Sequence, residues 1–183
     1  EEIAQDFWRR NFYKAPVEFV SYALSEGFGP EYFLDLLKKG MSHLDLKIIP
    51  EVKPAKDINT GPFYQAYEKL KKAWPASREK VEEKLRNPGM YSDYAKGLGE
   101  YMGIMDAYAG GAITVFPLPK KFEKFTTAEL TKKTKKGNDT PRHPFFNLCD
   151  EVQKTAEALQ EEMDQQLLFL KGEIFRCLQK EMP

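Results

Sequence analysis

The chain has 183 residues, and its 28 Lys and Arg are balanced by 28 Asp and Glu, for a formal net charge of zero. Hydrophobic residues make up 42% and aromatics 13%, which suits a packed core and excludes a disordered chain. Global charge gives no argument for nucleic acid or a membrane surface, and no apolar run reaches the roughly 18 residues of a membrane span.

The N-terminus reads EEIAQDFWRR, without an initiator Met, a basic n-region or an apolar h-region. A start of this kind is expected of a chain cut from something longer or stripped of a leader. A lost leader points to secretion or to an organelle such as a mitochondrion or plastid.

Helical spacing dominates the rest of the chain. Ile3, Phe7, Trp8 and Phe12 predict a first helix, ended or kinked at Pro16. Val17, Phe19, Val20, Ala23 and Leu24 predict a second, with Gly27 as its stop. Pro30 opens a third that turns Phe33, Leu34, Leu36 and Leu37 inward and stops at Gly40. Residues 41–60 read as irregular, with Pro50 and Pro54 around the short apolar run Leu46, Ile48, Ile49.

A fourth helix starts at Thr60-Gly-Pro and carries Phe63, Ala66, Tyr67, Leu70 and Trp74 until Pro75 breaks it. Ser77 then caps a fifth, with Val81 and Leu85 on one face and Asn87-Pro-Gly as its close.

The next helix, from about Tyr91 to Ala109, is the most unusual. Ala95, Gly99, Gly103, Ala107 and Gly111 recur at every fourth position and so share one face. Glycines at 97, 99 and 103 each cost about 1 kcal/mol relative to alanine, so close approach of another group is expected to offset them. Three readings are open: tight helix packing within the domain, a docking face for a partner subunit, or a seat for a flat cofactor. Tyr94, Tyr101 and Tyr108, seven apart, form a separate stripe that reads as core or interface.

Ile113 to Phe116 suits a short strand, stopped by Pro117 and Pro119. Thr126-Thr-Ala-Glu129 is a capping-box pattern for a short helix ending at Gly137, and Asn138 to Pro144 is turn chemistry. The last helix, from about Phe145 to Lys180, has the stripe Val152, Ala156, Leu159, Met163, Leu167, Leu170, Ile174 and Leu178. Its mean step of about 3.7 residues is that of a straight helix rather than a coiled-coil seam. Cys149 and Cys177 both lie on it, about 42 Å apart, so they are expected as free thiols.

The segment PVEFVSYALSEGFGPEYFLDLLKKG followed by MSHLDLKIIP resembles one helical hairpin of the pentatricopeptide or tetratricopeptide kind. The resemblance covers the first third of the chain. It implies a helical scaffold that grips a peptide or RNA.

Chemistry is harder to find. Residues 118–144, a basic linker before the last helix, hold Lys120, Lys121, Lys124, Lys132, Lys133, Lys135, Lys136 and Arg142 against three acids, with Phe122 and Phe125 interleaved. Lysines and aromatics so mixed suit phosphates, bases or anionic lipid. The plainer reading is that they fold back on the acidic last helix, where residues 145–183 hold eight acids and four bases. His43 and His143 sit in turn-like contexts with no ligand spacing. No nucleotide-binding, hydrolase or zinc motif occurs, so neither a cofactor nor a metal is expected.

The expectation is therefore a single all-α domain over 1–183, an irregular bundle of seven or eight helices with helical hairpins and a long C-terminal helix. Its expected role is a non-catalytic accessory or scaffold subunit of a larger protein assembly, such as an organellar energy-transducing complex. The small-residue face and the aromatic N-terminus (Phe7, Trp8, Phe12, Tyr13) are the expected docking surfaces. One alternative is binding of RNA or an anionic surface by the 120–136 lysines. The other is an enzyme built from dispersed residues, with His43 or His143 in a deep pocket.

Overall fold

A computed structural model describes residues 2–41, 53 and 57–181. Seven α-helices occur among them: α1 (Glu2–Phe12), α2 (Val17–Ser25), α3 (Pro30–Met41), α4 (Gly61–Leu85), α5 (Ser92–Ala109), α6 (Thr127–Lys133) and α7 (Pro144–Glu181). A 3-10 turn at Phe122–Phe125 precedes α6. The class is all-α, and no strand occurs among the described residues. The strand expected at 113–116 is irregular chain instead, since a lone strand with prolines behind it has no partner for its backbone.

The chain forms two compact units, Glu1–Ile58 with Gln160–Pro183, and Asn59–Leu159. In the first, α1 packs on α3. Its core is aromatic: Phe7 meets Phe33 at 5.1 Å between ring centres, and Phe12 stacks on Phe19 at 5.4 Å. Gly27 ends α2 as the spacing predicts, with a φ of +80° that a side chain would strain. Gly40 does not end α3; it lies inside the helix, which continues to Met41. His43 and the apolar run Leu46, Ile48, Ile49 lie outside the described residues.

In the second unit α4 packs on α5, and the 3-10 turn packs on α5 and α6. The sequence places a break at Pro75, yet α4 runs through it as one helix. Pro75 removes one backbone hydrogen bond. Against that loss, Val81 and Leu85 continue the stripe of Phe63, Tyr67, Leu70 and Trp74, and all are buried. Ser77 is thus an interior residue rather than a cap.

Segment 118–144 is folded: Phe122, Phe125 and Leu130 are buried, and the Thr126 hydroxyl caps α6 by accepting from the Glu129 N–H at 3.3 Å. The helix stops at Lys133, short of Gly137, because residue 134 turns extended and forms a bridge to Met90.

α7 contributes residues to both units. Its stripe from Val152 to Ile174 is buried as the spacing predicts, while the Leu178 side chain lies outside those described. Cys149 and Cys177 are free thiols.

Candidate functional site

The two stripes of α5 have opposite fates. Tyr94, Tyr101 and Tyr108 are buried. The Tyr94 hydroxyl donates to the Lys124 carbonyl at 2.8 Å, and Tyr108 donates to the Val115 carbonyl at 3.1 Å. Tyr67 of α4 donates to the Tyr108 carbonyl at 3.0 Å. Burial raises the Tyr94 and Tyr108 phenols far above their ordinary pKa, so they stay protonated donors.

The small-residue stripe faces away from that core. Ala95, Gly99, Gly103 and Gly111 are exposed and Ala107 half-buried. A Cβ placed on Gly99, Gly103 or Gly111 would meet nothing within 4 Å. Tight packing of this stripe within the unit is therefore corrected. Gly97 is the exception: a Cβ there would run into the Tyr101 ring, so its smallness is used by the tyrosine stripe. At the C-terminal end, Gly110 and Gly111 close the helix, Gly111 at a φ of +72°.

Asp106 shares the open side of α5, eleven residues after Ala95. Its carboxylate accepts from Trp74 Nε1 at 2.9 Å and forms a two-pronged pair with Arg78, at 2.8 Å from both Nε and Nη2. Arg78 holds the Asp106 carboxyl below the usual carboxylate range, burial opposes this, and Trp74 assists. Arg78 also reaches Glu82 at 3.3 Å. Trp74 and Arg78 lie one turn apart on α4, and the packing of α4 on α5 brings Asp106 to them.

Of the four N-terminal aromatics, Phe7 and Phe12 are core residues and not anchors. Trp8 is half-buried and stacked on Phe12 at 3.8 Å, which leaves Tyr13 at 86% exposure. Apolar rings at helical spacing were drawn inward by burial.

The lysines divide as well. Lys121 pairs with Glu100 at 2.5 Å, Lys124 with Glu129 at 2.6 Å and Lys133 with Asp93 at 2.7 Å. Lys135 donates to the Pro88 carbonyl at 2.9 Å. Their partners lie on α5, α6 and the 87–90 turn, not on the acidic α7 as the fold-back reading expects. Lys120, Lys132 and Lys136 are exposed and have no ion pair among the described residues.

His143 is a helix cap: its Nδ1 accepts from the Phe145 N–H at 3.1 Å. Burial, then the charges of Lys80 and Lys84, lower its pKa. Beside it, between α6 and the start of α7, lies a cleft of about 660 Å³ that includes Thr131, Thr140, Arg142 and Asn147. No group of three or more His, Cys, Asp or Glu placed to hold a metal occurs among the described residues. No described helix is long and apolar enough to cross a membrane.

Fold and site together define a helical module with an open small-residue face and several ion pairs on its surface. No protein family model matches it. In an alignment 160 residues long that covers 82% of this chain, the chain is 24% identical to the RecBCD enzyme subunit RecB of Escherichia coli (strain K12). The chain spans only 13% of the length of that relative.

Proposed function

We propose that this chain is a non-catalytic helical module that docks on a larger protein assembly, as a segment of a subunit within a multi-subunit enzyme. The observation that carries this reading is the similarity to RecB, by name one subunit of the RecBCD enzyme, over 82% of this chain and 13% of that protein. The exposed face of Ala95, Gly99 and Gly103, with Ala107 half-buried at its end, supports it as the docking surface, because a backbone almost without side chains admits another helix closely. Tyr13 is the aromatic of the N-terminal set that remains available as an anchor.

The test is native purification of the endogenous protein, with composition read by mass spectrometry. Stoichiometric recovery with other subunits is expected from the wild type and is expected to be lost with the pair Gly99→Leu and Gly103→Leu. A lone protein, or one carrying only nucleic acid, sinks the reading.

A second reading, binding of RNA or an anionic surface, is favoured by Lys120, Lys132 and Lys136, which have no ion pair among the described residues. It requires affinity that falls steeply with salt and drops further with Lys132→Ala and Lys136→Ala.

A further inference from the structure

We propose that the cleft between α6 and the loop before α7 is a binding site for a small tetrahedral oxyanion, such as the phosphate of a monoester, gripped by Arg142, Thr140 and Asn147. This lies beyond the docking reading and uses none of its residues.

The first ground is the lining. In a chain whose acids and bases are equal in number, this cleft of about 660 Å³ has Arg142 and His143 on its walls and no carboxylate. A smaller cleft of about 370 Å³ nearby on the same unit is lined by Glu123, Glu129, Asp150 and Glu157 along with Lys132 and Lys154. An anion would be repelled there and attracted here.

The second ground is the supply of donors. Arg142 is exposed and makes no ion pair among the described residues, so its planar fork remains available for two parallel bonds to an oxyanion. Because His143 Nδ1 accepts from the Phe145 N–H, the neutral ring carries its proton on Nε2 and is a donor there. Asp150, the first acid along α7, accepts from the Thr127 N–H at 2.9 Å and hydroxyl at 2.7 Å; these neutral donors leave its charge in place, so Arg142 has to outweigh it.

The third ground is the surrounding field. Burial disfavours the charged form of His143, and the charges of Lys80 and Lys84, one turn apart on α4, add to this. Neither has an ion pair among the described residues. Together with Arg142 they set three positive charges near the cleft against two carboxylates, Asp139 next to Thr140 in the chain and Asp150 bonded to Thr127 of the cleft wall.

The test monitors the His143 imidazole resonances by NMR while inorganic phosphate, and separately phenyl phosphate, is titrated at ionic strength held constant with sodium chloride. A saturable shift is expected with both probes, weakened about tenfold or more by Arg142→Ala, the loss expected for a charge-assisted pair. Arg142 is exposed, so the variant keeps its fold, checked by circular dichroism. Lys80→Ala with Lys84→Ala is expected to weaken binding less, since those charges act at a distance. A shift that chloride reproduces, or an affinity that Arg142→Ala leaves unchanged, overturns the site. Binding of an oligonucleotide alone, with no response to either phosphate, overturns it too and favours an extended nucleic-acid surface instead.

Discussion

Helix α5 carries two stripes of similar regularity, and they do opposite things. The tyrosines at 94, 101 and 108 are buried, the first and last hydrogen-bonded, whereas a Cβ on the glycines at 99 and 103, on the same 18-residue helix, would meet nothing within 4 Å. Periodicity states which residues share a face. It does not state which face turns inward. Large amphipathic rings gain most from leaving water, so they claim the core, and the small residues are left outside with their helix-weakening glycines uncompensated.

The deepest break in that contrast is expected on the tyrosine side. Tyr108 is 0% exposed and meets the rings of Tyr67 at 5.1 Å and Phe122 at 5.4 Å. Tyr108→Ala is expected to destabilise by about 3–5 kcal/mol, the range for deleting a large buried aromatic. Urea denaturation checks it, and a loss below about 1 kcal/mol would contradict a core role for the stripe.

Next in size is the polar seam between α4 and α5. Asp106→Ala removes the acceptor of both Trp74 Nε1 and Arg78. The expected loss is about 1–2 kcal/mol, held to that range because both charged side chains are about 40% exposed and screened by solvent. A double-mutant cycle with Arg78→Ala measures the part that belongs to the pair.

Much of this was legible in the sequence, and what was not has identifiable causes. The helical class and the stripes of α1, α5 and α7 follow from apolar spacing. Pro75 reads as a break from its local penalty alone, and the burial of Val81 and Leu85 beyond it outweighs that penalty. Phe7 and Phe12 misled because aromatic composition suggests an anchor and a core equally well. The Trp74–Asp106–Arg78 cluster and the cap at His143 have no sequence signature, since helix packing or a loop turn brings their members together. Charge was hidden differently. The net zero divides into eleven bases and fifteen acids in residues 1–58 and 160–183, and seventeen bases and thirteen acids in residues 59–159. A balanced total thus conceals a basic unit and an acidic one.

The glycines themselves sharpen the contrast. Gly99→Ala and Gly103→Ala are each expected to stabilise the fold by about 0.5–1 kcal/mol, because helix propensity improves and no atom stands in the way. Gly97→Ala is expected to lose stability instead, since its Cβ enters the Tyr101 ring. Three single variants compared by thermal denaturation read out the sign directly. Stabilisation at all three positions would contradict the assignment of Gly97 to the packed side.

The smallest effect concerns the cap of α7, where the contrast is between two protonation states of one ring. Neutral His143 accepts the Phe145 N–H at Nδ1; a proton there removes the acceptor and sets a positive charge at a helix N-terminus, where cations are disfavoured. Its pKa in the folded chain is lowered from 6.5, by burial and then by Lys80 and Lys84. A lowered value means that the unfolded chain takes up the proton first as pH falls. The contribution of His143 is therefore fully present above about pH 6.5 and is lost as pH drops through the lower folded value. His143→Asn tests the assignment: a short side chain that caps without titrating should keep most of the stability and flatten the profile across that window. An unchanged slope would place the titrating group elsewhere and reduce His143 to a contact of shape alone.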